Sequence, residues 1–141
     1  MDSKTLLLID DEVHITFMLA YKLRAKGYLV HTAINGDDGF ELARQIRPDL
    51  VVADLQMPGT NGFDMSVQLS QCSATANIPI IMLTGCGYKV SEAERQLTNI
   101  RYMMDKPFSA NELLSKIHNL LEVNNHTPQN QSDREFRQAV P

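Results

Sequence analysis

Cysteine is scarce in this sequence. Cys72 and Cys86 are the two that occur, and neither their number nor their spacing builds a disulfide framework or a thiolate metal site. They are expected to be free thiols in a reducing compartment, which points to a cytoplasmic protein. No apolar run approaches the roughly 20 residues needed to cross a bilayer. The opening Met1-Asp2-Ser3-Lys4 lacks the basic and apolar regions of a secretory signal, so no membrane association is expected. Excess positive charge is missing too. The formal net charge is −4, and bulk electrostatics therefore offer no nucleic-acid surface. His14, His31, His118 and His126 are scattered, which argues against a metal site built on histidine.

What remains is an ordinary globular balance, 43% hydrophobic and 21% charged in 141 residues. That is enough for one domain with a real core. Thr5 to Ile9 is a buried-strand run that ends in Asp10-Asp11-Glu12. Glu12 is read simply as an acid favoured at a helix N-terminus. Val13 to Lys26 carries Ile15, Leu19 and Leu23 at helical spacing, with Phe17 and Met18 beside them, and Gly27 is a natural stop. Tyr28 to Ile34 has strand composition. After the Asn35-Gly36 turn, Asp37 or Asp38 is expected to cap a helix that runs to about Arg47 with Phe40, Ala43 and Ile46 inward. Leu50 to Ala53 is a strand that looks buried on both faces, and it leads into Asp54. A third helix is expected over Phe63 to Gln71 and a fourth strand over Ile78 to Leu83, with Pro79 near its start, where proline is tolerated. Ser91 and Glu94 are spaced as a capping box for a polar helix. Ile100 to Met104 is the fifth strand. Ser109 to Glu112 forms a second capping box, and Leu113, Leu114, Ile117, Leu120 and Leu121 make the apolar stripe of a last helix. From Asn124 the composition turns to Asn, Gln, Thr, Ser and Pro. Residues 1–123 are thus expected to form the domain and 124–141 a polar tail or linker.

Strand followed by helix, five times over, predicts an α/β protein with a doubly wound parallel sheet and helices on both faces. In the flavodoxin-like strand order 2-1-3-4-5 the carboxyl ends of strands one and three are neighbours. That brings Asp10, Asp11 and Asp54 to one edge, with Thr84 and Lys106 at the ends of strands four and five. A carboxylate at the end of a buried strand needs a hydrogen bond, a metal or exposure. Three of them together repel and raise one another's pKa. A hard divalent cation, Mg²⁺ above all, resolves that conflict. A carboxylate beside such a cation can act as nucleophile towards phosphorus and form an aspartyl phosphate, with the Lys106 ammonium and the Thr84 hydroxyl on the phosphoryl oxygens. Alone, Lys106 would be a solvated lysine and Thr84 ordinary strand composition. Their joint placement at strand ends carries the reading. Pro107 is a candidate cis proline.

Asp10-Asp11, Asp54 with Met57-Pro58-Gly59 and Gly62, Thr84, and Lys106-Pro107-Phe108 resemble the receiver domain of two-component response regulators, over about residues 4 to 122. The resemblance implies that Asp54 is the phosphoacceptor. It implies that Asp10, Asp11, Asp54 and the Gln56 backbone carbonyl hold Mg²⁺ or Mn²⁺, and that Thr84 and Lys106 contact the phosphoryl group. It further implies a histidine kinase or histidine phosphotransfer protein as donor. Phosphorylation would then switch the face around strands and helices four and five for a downstream protein, a missing effector domain or a second copy, with no direct binding of nucleic acid. Such a domain is a signalling phosphoacceptor with self-catalysed transfer and slow autodephosphorylation, not an enzyme of turnover. Two departures stand out. The family's switch aromatic, three residues before the lysine, is Met103 here, with Tyr102 one residue earlier and expected on the opposite face. The Gly-Ala pair common before the fifth strand is replaced by Thr98-Asn99-Ile100-Arg101. Cys86, two residues after Thr84, is read as a small loop residue near the site.

Other functions on this fold fit less well. A phosphatase of the haloacid dehalogenase kind places an Asp two residues after its nucleophile, and Gln56 there supplies no proton. A nucleotide or flavin binder wants backbone amides and hydroxyls after strand one, where Asp10-Asp11-Glu12 repels a phosphate. A docking module that is never phosphorylated would have no need of the complete constellation.

Overall fold

The computed structural model describes residues 3–85 and 90–125, with side chains to residue 122. Cys86 and the polar tail beyond residue 125 lie outside the described residues. The elements run β1 (Thr5–Ile9), α1 (Val13–Ala25), β2 (Leu29–Ala33), α2 (Gly36–Ile46), β3 (Leu50–Asp54), α3 (Gly62–Ser70), β4 (Ile80–Thr84), α4 (Glu92–Arg95), β5 (Ile100–Asp105) and α5 (Ala110–Asn125). The contacts divide the chain after Ala110, so α5 is described by itself. It is a 16-residue helix whose Leu113, Ile117, Leu120 and Leu121 are buried, four of the five residues of the expected stripe.

The five strands form one parallel sheet in the order β2-β1-β3-β4-β5. β3 and β4 are buried at every position, as continuous apolar runs must be when helices cover both faces. One face carries Leu7, Ile9, Val51, Ala53, Ile80 and Met82 against Ala43 of α2 and Met65 and Leu69 of α3. α1 lies against β1 and β2.

Several boundaries differ from expectation for local reasons. β4 starts at Ile80 because Pro79 has no N–H for the ladder, although the Pro79 carbonyl accepts from Val51 N–H at 3.0 Å. α2 is capped by Asn35, whose side chain accepts from Asp38 N–H at 2.8 Å. Asp37 and Asp38 lie in the first turn instead. α1 buries Thr16, Leu19, Ala20 and Leu23, whereas Phe17 is 78% exposed and Met18 is exposed as well. α4 is only four residues long, but its capping box is formed: Ser91 Oγ accepts from Glu94 N–H and Glu94 Oε1 from Ser91 N–H. A bulge follows at the start of β5. Ile80 pairs with Ile100 and Ile81 with Tyr102, so Arg101 is the extra residue. The Arg95 guanidinium donates towards the Ile100 and Arg101 carbonyls at 3.5 and 3.3 Å.

Candidate functional site

The carboxyl ends of β1, β3, β4 and β5 meet at one edge of the sheet. Asp10 follows β1 and is buried, held by its N–H on the Ala33 carbonyl at 3.1 Å. Its Oδ1 accepts from Glu12 N–H at 2.9 Å. Asp54 closes β3, also buried, and its Oδ1 accepts from Gln56 N–H at 3.3 Å. Each aspartate thus folds its carboxylate over the backbone two residues on, a local turn that aspartate readily makes. Gly62 lets the chain return close over Asp54. A Cβ there would run into the Asp54 carbonyl and approach Leu55 Cα to 3.0 Å, while Gly62 N–H donates to the Leu55 carbonyl at 2.8 Å.

β4 and β5 supply the opposite charge. Lys106 N–H donates to the Thr84 carbonyl at 2.8 Å, which ties the lysine to the end of β4. Its Nζ then reaches Glu12 Oε1 at 3.0 Å, Asp10 Oδ2 at 3.2 Å and Asp54 Oδ2 at 3.3 Å. The Lys106–Pro107 peptide is cis. Thr84 is buried at the same edge, and its hydroxyl donates to the Gly85 carbonyl at 3.1 Å.

Three carboxylates surround one ammonium, and the titration of Asp10 and Lys106 reflects it. Burial pushes the Asp10 carboxyl up. The Glu12 N–H opposes that, the charge of Asp54 adds to it, and Lys106 offsets part of it. Burial alone would lower Lys106, but its hydrogen bond to Glu12 and the charges of Asp10 and Asp54 override it and hold the ammonium well above its usual range. Among the described residues, Asp10, Glu12 and Asp54 are the carboxylates grouped closely enough to hold a metal ion. Their donors are all hard oxygens and their charge exceeds that of Lys106, a set that fits a hard divalent cation.

The sequence expectation named Asp10, Asp11 and Asp54 together. The structure brings Asp10 and Asp54 together but leaves Asp11 exposed and outside the group. Glu12 takes part where it was read only as a helix-start acid. Its contact with Lys106 spans 94 positions of chain, and no local signal announces it. Gln56 is exposed beside Asp54, with its Oε1 3.0 Å from where a Cβ on Gly85 would stand. Met103 pairs in register with Met82 and packs on the α2–α3 core, whereas Tyr102 pairs with Ile81. The bulge at Arg101 precedes both and leaves Tyr102 on the face opposite Met103.

Comparison with known proteins gives a consistent result. A family model described as the response regulator receiver domain matches residues 6–118. The DNA-binding dual master transcriptional regulator RpaA of Synechocystis is 33% identical over 124 residues, 88% of this chain and 52% of that protein. Protein PilH of Pseudomonas aeruginosa is 34% identical over 116 residues, 82% of this chain and 96% of that protein. The crystal structure of a response regulator from Chloroflexus aurantiacus superposes with a TM-score of 0.77 at 29% identity, covering 86% of this chain and 99% of that one. The chain spans about half the length of the first curated relatives it matches.

Proposed function

The chain belongs to the response regulator receiver domain family, a signalling domain of two-component systems, and from that premise we propose that Asp54 is its phosphoacceptor. A histidine kinase or histidine phosphotransfer protein is the donor. The observation that carries this reading is the buried Asp54 carboxylate at the end of β3, with Lys106 Nζ 3.3 Å away and Asp10 beside it.

Asp10 and Asp54 would hold Mg²⁺, or Mn²⁺ in its place, with Glu12 in reach from this edge and Asp11 and the Gln56 carbonyl as the family pattern adds them. Bound there, the cation would supply the positive charge that offsets the carboxylates and the phosphoryl oxygens. Gln56 N–H fixes Asp54 Oδ1 and leaves Oδ2 as the attacking oxygen. Lys106, held at the end of β4 by its own N–H, would stabilise the charge on the transferring group. The Thr84 hydroxyl would turn from the Gly85 carbonyl to a phosphoryl oxygen. The phosphoryl group leaves the donor nitrogen for Asp54 Oδ2, and the donor histidine departs with its electron pair.

The added charge, roughly −1.5 to −2, would shift the ends of β4 and β5, where Thr84 and Lys106 are tied together. Downstream the reader is a protein partner, an effector domain or a second copy. Met103 rather than an aromatic would answer the movement of Thr84.

Intact mass after incubation with acetyl phosphate and Mg²⁺ tests the reading. Wild type gains one phosphoryl group and Asp54→Asn gains none. An adduct on both would place the acceptor elsewhere, and an adduct on neither at any Mg²⁺ concentration, nor from a phosphorylated histidine donor, would sink it.

A further inference from the structure

The loop between β3 and α3 carries Gln56, whose N–H holds Asp54 Oδ1 at 3.3 Å. The base of this loop is pinned twice. Leu55 N–H donates to the Leu83 carbonyl at 2.7 Å, and Gly62 N–H donates to the Leu55 carbonyl at 2.8 Å. Between those points the chain has few holds. Pro58 has no N–H to give, and Gly59 turns with φ at +75°. Met57 is buried, but apolar packing is non-directional and does not fix how the neighbouring peptides rotate. Among the described residues, 56–60 make two hydrogen bonds. One is Gln56 N–H on the Asp54 carboxylate. In the other, Thr60 Oγ donates to Asp37 Oδ1 at 2.8 Å, across 23 positions of chain.

Asp37 lies in the first turn of α2, whose cap is Asn35, so the helix start does not depend on its carboxylate. The backbones meet at the same place. Gly36 is buried, and a Cβ there would run into the Thr60 carbonyl and stand 3.1 Å from Thr60 Cβ. An exposed threonine–aspartate bond is commonly no more than surface decoration. Here the loop tip already rests on α2, so the bond costs little further ordering.

We propose that Thr60 and Asp37 are positioning residues for phosphoryl transfer. The pair fixes the tip of the loop on α2. The loop in turn keeps Gln56 N–H on Asp54 Oδ1 and leaves Oδ2 towards the phosphorus. This rests on Asp54 as phosphoacceptor. Without the Thr60–Asp37 bond the tip swings, Gln56 N–H spends less time on Oδ1, and the carboxylate samples orientations in which attack fails.

Acetyl phosphate labelling at saturating Mg²⁺, read by intact mass, tests the pair. The proteins are wild type, Thr60→Val, Thr60→Ser, Asp37→Ala, the double variant Thr60→Val with Asp37→Ala, Glu41→Ala and Asp54→Asn. All are held well below their melting temperatures, so a loss of stability by itself leaves the rate unchanged. Thr60→Val keeps shape and charge but removes the hydroxyl. It is expected to label roughly two- to tenfold more slowly, the worth of one net hydrogen bond. Thr60→Ser should label at the wild-type rate. Asp37→Ala should match Thr60→Val, and the double variant should be no slower than either. Glu41 is an exposed glutamate further along α2, and Glu41→Ala, with the same change of charge as Asp37→Ala, should leave the rate unchanged. Amide exchange in cation-free buffer is the second readout. The Gln56 N–H should exchange faster in Thr60→Val by a similar factor, and the Gly62 N–H should not. Thr60→Val as fast as wild type, Thr60→Ser as slow as Thr60→Val, or a double variant whose losses add overturns the proposal. So does an unchanged Gln56 amide, or Glu41→Ala as slow as Asp37→Ala. Equal labelling of Asp54→Asn and wild type, or no labelling of any variant, brings down the phosphoacceptor reading and this one with it.

Discussion

At Lys106 the balance of charge runs three carboxylates to one ammonium. Removing the lysine leaves Asp10 and Asp54 buried with backbone N–H partners alone. Lys106→Met is therefore expected to destabilise the protein by about 2–3 kcal/mol in cation-free buffer, less than a fully buried pair because the lysine is partly solvated. The denaturation midpoint in urea reads this directly. The reverse holds for Asp10, whose ionised form is disfavoured by burial and by Asp54. Asp10→Asn keeps an oxygen for the Glu12 N–H and removes one of the repelling charges. It should raise the cation-free melting temperature by a few degrees, about 1 kcal/mol, and should also soften the loss caused by Lys106→Met, because the two residues touch. A double-mutant cycle that comes out additive would contradict the charge balance described for this edge.

At the scale of the element, the chain was most readable where composition and local geometry agree. Leu6 to Ile9, Leu50 to Ala53 and Ile80 to Leu83 are apolar on every position, and each became a strand buried on both sides. Asp10, Asp54 and Thr84 were legible as candidates because a polar residue closes an apolar run. Ser91 and Glu94 were legible as a cap because capping is settled within four residues. Reading failed where distant contacts decide. Phe17 is apolar but lies with Val13 and Tyr21 on the outward line of α1, and hydrophobicity alone cannot tell that line from Leu19 and Leu23. The Glu12–Lys106 contact needs β1 and β5 to end at the same edge. α3 offers a test at this scale. Its N-cap Asn61 accepts from Asp64 N–H at 2.8 Å, and Asn61→Ala should cost about 1 kcal/mol in a thermal or urea melt. Gly62→Ala should cost more, at least about 2 kcal/mol, because its Cβ meets the Asp54 carbonyl and Leu55 Cα, backbone that cannot give way, besides the Met82 sulfur.

For the whole molecule, the strand order puts the ends of β1 and β3 side by side, so acids far apart in sequence share one edge. A cation bound there stabilises the folded chain by mass action, about 2.7 kcal/mol at a hundred times its dissociation constant. Mg²⁺ is therefore expected to raise the melting temperature of wild type markedly. It should raise those of Asp10→Asn and Asp54→Asn much less, and calorimetric scans with and without the ion check it. No helix among the described residues is long and apolar enough to cross a membrane.

The sheet is open, and its last strand begins irregularly. Arg101 interrupts the ladder, and the Arg95 guanidinium sits on the carbonyls of Ile100 and Arg101. A regular, unguarded border strand invites copies to add to one another end on end. Here that border is kinked by an extra residue and two of its acceptors are engaged from within. In a crowded solution this margin resists filament growth.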